Sequence, residues 1–387
     1  MDDTSNGARV EWSNGLAFVL AASGSAVGLG NLWRFPYLVG DNGGAAFVLI
    51  YLACIALVGL PIMLAEILVG RRGRGSPVRS LGVVALGEGA HRSWVLLGWL
   101  GMLAGFLILS FYSVIGGWSF YYVAQATLGA FQGMSADAAG TLFDELRQSP
   151  SRLIVWHTLF MLALFGIVAA GVRKGVQRAV TLLMPLLLLI LVGLVGYGVL
   201  ASGVFLKTLA FLFAPDFGAM DEGTVLAALG QAFFTLSLGM GAIMVYGAYL
   251  PARCSIGRNA GWIVGLDTGT ALLAGLAIFP IVFAAGMEPG EGGPGLVFVT
   301  LPIVFGEIPL GWALAVVFFV LLAVAAVTSG ISLLEPATAY LAERRLGRIA
   351  AAALVSGLVW ILGVVCALSL NVWSHVHAPG HGGSRRR

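Results

Sequence analysis

Residues 23–36, Ser-Gly-Ser-Ala-Val-Gly-Leu-Gly-Asn-Leu-Trp-Arg-Phe-Pro, place polar chemistry inside a long apolar run. Gly24, Gly28 and Gly30 weaken a helix there, and Asn31 and Arg34 add polar groups at a depth where lipid pairs with neither. Unpaired backbone in hydrocarbon is costly, so a helix broken at that depth must line a cavity enclosed by protein, and its freed carbonyls and amides become ligands. A second apolar run repeats the pattern over 231–241, with Gln231, Thr235 and Ser237 as the polar groups and Gly239 and Gly241 as the looseners. Asp267 stands in the middle of a third run, where an acid costs about 2.5–3.5 kcal/mol. It is either a functional group or a protonated carboxyl bonded to a neighbouring helix. Thr328 and Ser329 put two hydroxyls side by side; these either bond back to the preceding turn or offer oxygens to a cation.

The elements that must hold these groups are membrane helices. The chain of 387 residues is 59% hydrophobic and 10% charged, with mean hydropathy +0.96. That composition is an all-α polytopic membrane protein rather than a soluble domain. Nine apolar segments, roughly 16–38, 43–69, 93–129, 153–171, 179–201, 225–250, 258–284, 311–341 and 349–371, are each long enough to cross about 30 Å of hydrocarbon. Residues 286–310 carry Glu288, Glu291 and Glu307, many Gly and Pro, and an apolar stretch too short to span, which reads as a re-entrant or lid element. Residues 1–371 form one transmembrane domain, followed by a polar tail at 372–387.

Basic residues set the orientation. Arg71, Arg72, Arg74, Arg79 and Arg92, then Arg173, Lys174 and Arg178, then Arg253 and Arg258, then Arg344, Arg345 and Arg348 all fall in loops on one side. The positive-inside rule makes that side and the N-terminus cytoplasmic, in a cell inner (plasma) membrane. Against it, nine spans place Arg385, Arg386 and Arg387 outside. No basic leader precedes the first span, so no cleaved signal peptide is expected. Cys54, Cys254 and Cys366 are too scattered for a metal or disulfide pattern. The net charge of +3 does not suggest nucleic acid, and no Ser/His/Asp, His-Glu-x-x-His or nucleotide-loop pattern suggests an enzyme.

Two broken segments five spans apart are the mark of an inverted-repeat transporter. Here the repeats cover about 12–201 and, incompletely, 223–371. The sequence resembles the neurotransmitter:sodium symporter family, the group containing the bacterial leucine transporter, from Trp12 to about Leu346. The resemblance rests on Gly-Asn-Leu-Trp-Arg-Phe-Pro at 30–36, Asp-Asn-Gly-Gly at 41–44, Pro61, Glu66, Gly70 and Arg71, Gln-Ala-Phe-Phe-Thr-Leu-Ser at 231–237, Thr328 and Ser329, and Glu335 and Pro336. Gly-Met-Gly at 239–241 is similar to bacterial members that take bulky hydrophobic amino acids.

The resemblance implies a leucine-transporter-like fold with spans 1 and 6 broken, and a symporter of hydrophobic or aromatic amino acids. Its substrate site would use backbone around Ala26 and Gly30 and the Tyr112 hydroxyl for the carboxylate. Carbonyls of Ala26, Phe234, Thr235 and Ser237 would take the ammonium, and Ile108, Phe234, Met240, Ser329 and Leu333 the side chain. On residues alone, Tyr112 also fits an interfacial tyrosine, and Ile108 and Leu333 plain packing. Two co-transported sodium ions are implied. The first would bind the Ala26 carbonyl, Asn31, Thr235, Asp267 and the substrate carboxylate. The second would bind carbonyls of Gly24, Val27 and Ala325 with the hydroxyls of Thr328 and Ser329. Chloride-dependent relatives have a neutral Asn where Asp267 stands and a Ser where this chain has Ala271, while Tyr51, Gln231 and Thr235 match the rest of that anion pocket. The resemblance therefore implies that the Asp267 carboxylate replaces chloride and that chloride is not required. Arg9, Trp12 and Glu343 match a cytoplasmic gate, Arg34 with Gln231 an extracellular one, and Glu66 is placed to bond the unwound backbone of spans 1 and 6.

Family members have eleven or twelve spans. The tenth, with the acidic partner of Arg34, is expected to be missing here, leaving the second repeat open on one side. The competing expectation is therefore a transport-dead amino-acid-binding or regulatory protein, or a shortened, non-functional product. The histidines at 375, 377 and 381 read as a polar tail. Oligomeric state is not legible.

Overall fold

A computed structural model describes residues 11–220, 223–284, 286–288, 295–344 and 346–373. The described residues are helical with short connections, and seven helices are long and apolar enough to cross a membrane. They are span 2 (Ala45–Gly73), span 3 (Arg92–Thr127), span 4 (Pro150–Ala169), span 5 (Val172–Leu200), span 7 (Ile256–Ala284), span 8 (Gly311–Glu343) and span 9 (Arg348–Ser369). Together they make the chain an integral membrane protein of the all-α class.

The two remaining expected spans are the broken ones. Span 1 is Gly15–Ala26 followed by Gly30–Asp41, bent by 47° at the gap. Its second half opens with a π-turn, Gly30–Arg34, where widened backbone leaves carbonyls free of the regular ladder. Span 6 is split further. Thr224–Thr235 and Ala242–Ala248 are separate helices with six non-helical residues between them. Neither half is long enough to cross alone. Nine segments thus correspond to seven continuous spans, one bent pair and one fully divided span.

Outward-facing leucines on the continuous spans, such as Leu57, Leu182 and Leu189, are 76%, 70% and 73% exposed. That is the pattern of a bundle meant for lipid rather than water. The expected re-entrant element is Leu296–Glu307, a 12-residue apolar helix whose Phe298 ring packs against Trp33, Trp118 and Tyr122. It caps the face opposite the basic loops. The polar tail from residue 374 onward lies outside the described residues.

Candidate functional site

The breaks of spans 1 and 6 lie side by side at mid-bundle. The Gln231 side chain donates to the Gly30 carbonyl at 2.9 Å, and the Ser237 hydroxyl donates to the Ser25 carbonyl at 2.9 Å. Each break satisfies part of the other's freed backbone, which lets both persist at that depth. The span-6 break holds three left-handed residues: Ser237 (φ 53°), Gly239 (φ 74°) and Gly241 (φ 75°). Left-handed backbone at a serine is unusual and marks a segment held open by its surroundings. Glu66 of span 2 is one of them, accepting from the Gly239 amide at 2.7 Å. Its other oxygen is buried without a partner, so the expected bond to span 1 is not made.

One chamber lies between the breaks. Ser25, Ala26, Gly28, Leu29 and Gly30 of span 1 line it, with Phe234, Ser237 and Met240 of span 6. Ile108 and Tyr112 of span 3 and Ser329 and Leu333 of span 8 close it. Every residue expected at the substrate lines it except Thr235, whose hydroxyl donates to Asp267 Oδ1 at 2.8 Å, beside the acid with which it was expected to share the first sodium site. The chamber holds about 20 Å³, room for roughly one water. The Tyr112 hydroxyl is buried there with no hydrogen-bond partner, leaving a donor for an anionic group. Gly28 is where the walls come closest: a Cβ would strike the Ser329 hydroxyl and stand 3.4 Å from the Tyr112 oxygen.

Beside the chamber lie two groups of oxygens. Asp267 is fully buried. Its Oδ1 accepts from Asn31 Nδ2 (2.9 Å) and Thr235 Oγ1 (2.8 Å), while Oδ2 has no partner. A buried carboxylate oxygen without a donor is costly unless a cation or a proton completes it. Asn31 Oδ1 accepts from the Gly28 amide at 3.1 Å, so that side chain ties the break to the acid. The second group joins spans 1 and 8. Ser329 Oγ lies 3.1 Å from the Ser25 carbonyl and 3.4 Å from that of Val27, and Thr328 Oγ1 donates to the Ala325 carbonyl at 3.0 Å. Gly24 lies beside Thr328, its would-be Cβ 3.5 Å from the threonine Cβ. Apart from Asn31, expected as a sodium ligand but turning its amide nitrogen to Asp267, both groups present oxygens, the chemistry sodium prefers.

Above and below the chamber the path is layered. On the side away from the basic loops, Arg34 donates to Gln231 at 2.9 Å and its guanidinium lies 5.3 Å from the Phe234 ring centroid. On the basic side, Trp12 is anchored to span 6, its indole donating to the Tyr246 carbonyl and its amide to that of Tyr249, both at 3.0 Å. Glu343 accepts from the Ser76 amide and hydroxyl at 2.6 and 2.7 Å rather than meeting Trp12; Arg9 lies outside the described residues. The nearby ion pair is Arg74 with Glu11, at 3.1 Å.

Sequence reasoning missed two features. The Ser25 carbonyl accepts from both Ser237 and Ser329, a role that leaves no side-chain signal. Buried Glu335 takes two bonds from Arg348, at 2.8 and 2.5 Å, and one from Tyr249 at 2.9 Å. An acid in one apolar run and an arginine at the start of the next were the available signal.

Two divided helices that share an oxygen-rich chamber at the centre of an apolar bundle define a secondary transporter. The model of the sodium:neurotransmitter symporter family matches residues 9–132 and 147–374, and the chain belongs to that family, one of transporters rather than enzymes. It is 39% identical over 372 residues to an uncharacterized sodium-dependent transporter, YhdH, of Bacillus subtilis, covering 96% of this chain and 81% of the relative. It is 36% identical over 381 residues to another in Haemophilus influenzae, covering 96% and 83%. Among solved structures it superposes on MhsT in complex with L-phenylalanine with a TM-score of 0.87 and 46% identity, over 96% of this chain and 84% of that one. These likenesses make it a sodium-coupled transporter of the leucine-transporter fold.

Proposed function

We propose that this chain carries hydrophobic or aromatic amino acids into the cell with two sodium ions, by alternating access and without chloride. The observation that carries the reading is the single chamber where the broken backbones of spans 1 and 6 meet the unpartnered Tyr112 hydroxyl. Backbone at Ala26 and Gly30 with that hydroxyl receives the substrate carboxylate, and carbonyls of Ala26, Phe234, Thr235 and Ser237 receive the ammonium. Ile108, Phe234, Met240 and Leu333 face the side chain, and the flexible Met240 adapts to its shape. The solved complex of MhsT with L-phenylalanine supports an aromatic cargo. At about 20 Å³ the chamber must widen to admit it.

Sodium enters as cargo at both oxygen groups. Asp267 with Asn31, Thr235 and the Ala26 carbonyl holds one ion, which also touches the substrate carboxylate and so ties the two together. Thr328 and Ser329 with carbonyls of Gly24, Val27 and Ala325 hold the other, which clamps span 1 to span 8. Two charges crossing 100 mV supply about 4.6 kcal/mol, and a zwitterion adds nothing to that term. Coupling requires that both ions and the substrate favour the same outward-facing state. The Asp267 carboxylate supplies the negative charge that chloride gives other members, and Ala271 leaves no hydroxyl for the anion. The basic loops face the cytoplasm, in the plasma membrane.

Uptake by proteoliposomes under an inward sodium gradient tests this. Phenylalanine and leucine should compete with labelled substrate better than glycine, and replacing chloride by gluconate should leave the rate unchanged. Preference for glycine, or loss of transport in gluconate, contradicts the reading. Sodium-dependent binding without uptake would select a transport-dead binding protein instead.

A further inference from the structure

A second cleft opens on the basic-loop face, away from the central chamber. It runs between the first turns of spans 1 and 7 and encloses about 900 Å³. Leu16 forms part of one wall, Asn259, Trp262 and Leu266 the other, and Arg253 and Arg258 its charged end. Both arginines are exposed. Neither pairs with an acid among the described residues, and no Asp or Glu lines the cleft. Span 7 begins at Ile256, so the positive end of its backbone dipole adds to the two guanidinium charges. Asn259 supplies an independent sign of a ligand: it is 5% exposed, and its amide nitrogen has no hydrogen-bond partner.

The other half of the cleft is apolar. Leu16, the second residue of span 1, is 65% exposed, and Trp262, the seventh of span 7, is 62% exposed. A tryptophan at that level suits the headgroup layer of a bilayer. Cationic groups at one end and an apolar wall leading toward the hydrocarbon form an amphipathic slot. A small soluble anion would use only the charged end.

We propose that this cleft binds an anionic phospholipid, its phosphate held by Arg253, Arg258 and the Asn259 amide and an acyl chain lying along Leu16 and Trp262. The lipid bridges the start of span 1, which carries the broken segment, to the start of span 7, which carries Asp267. Its occupancy therefore bears on two elements of the site without touching the chamber.

Native mass spectrometry of the full chain, delipidated and titrated with phosphatidylglycerol, tests the assignment. Wild type should retain one tightly held phosphatidylglycerol, and Arg253→Gln/Arg258→Gln should hold it about 30-fold more weakly, the loss expected for two arginines at an anionic surface. Phosphatidylcholine should show no such difference. Arg92→Gln/Arg178→Gln, which removes the same charge from the same face, should retain the lipid as wild type does. Trp262→Ala, which keeps both arginines, should weaken retention of phosphatidylglycerol and leave any binding of inorganic phosphate unchanged. Unchanged melting of each variant shows that it is folded. Equal retention by wild type and the Arg253/Arg258 variant overturns the proposal, as does equal loss in the Arg92/Arg178 control. Displacement of the lipid by inorganic phosphate at millimolar concentration overturns the lipid as the occupant and leaves a soluble-anion site.

Discussion

Gly28 carries more of the site than its size suggests. It lets the span-1 break approach span 8 so closely that a methyl group would strike the Ser329 hydroxyl and crowd Tyr112. The same residue gives its amide to Asn31, which in turn holds Asp267. Overpacking of this kind costs about 1–3 kcal/mol. Gly28→Ala should therefore weaken substrate and sodium binding together, by roughly 5- to 150-fold, as read by equilibrium binding. Gly357→Ala in span 9, where a Cβ meets nothing within 4 Å, should leave both unchanged. An effect at Gly28 confined to stability would show that the close approach serves packing alone. Asn31, Asp267 and Ser329 were legible from the sequence as polar groups stranded in apolar runs. Which atom each presents was not: Asn31 turns its amide nitrogen to Asp267 and leaves its oxygen to the Gly28 amide, because a desolvated carboxylate takes the nearest donor. The Ser25 carbonyl was invisible for a different reason, since a main-chain acceptor is shared by every residue type.

At the scale of the helix, the two breaks are stabilised by unlike means. Span 1 bends at the short gap between Ala26 and Gly30 and resumes through a π-turn, whereas span 6 parts over six residues through left-handed backbone. Gly239 and Gly241 have nearly the same φ, yet their surroundings differ. A Cβ at 239 meets nothing within 4 Å, while one at 241 falls 2.7 Å from the Pro77 ring. Left-handed strain alone costs about 1–2 kcal/mol. Gly239→Ala should lower the melting temperature by that strain, and Gly241→Ala by more, because Pro77 must also move. Asn, which tolerates the left-handed region, should recover part of the loss at 239 and none at 241. Equal melting of the two alanine variants would contradict this account of the break. The existence of both breaks could be read from clustered glycines beside polar residues. Their extent could not, since a π-turn and a six-residue gap differ in how neighbouring elements pair with freed carbonyls, here Gln231, Ser237 and Glu66.

Across the whole molecule, the chamber is sealed by chemistry of different kinds on its two sides. Toward the basic loops, Trp12 locks the start of span 1 onto Tyr246 and Tyr249, and Tyr249 reaches the Glu335–Arg348 pair joining spans 8 and 9. Toward the other side, Arg34, Gln231 and the helix around Phe298 form the cover. The nine apolar segments were legible because length and hydropathy fix spans in lipid. Glu335 with Arg348 was not, because its two members lie on different helices and neither alone specifies the other. Alternating access requires that these covers open one at a time, and that sodium and amino acid bias them together.

The most direct measurement is equilibrium binding of labelled phenylalanine to the purified chain, in sodium and in an equal concentration of potassium, with Asp267→Ala and Thr328→Ala alongside. Saturable binding in sodium, absent in potassium and abolished or strongly weakened by either substitution, is the predicted result. Binding that is indifferent to the cation, or untouched by both substitutions, would contradict the claim that the broken halves of spans 1 and 6 form one sodium-linked amino-acid site.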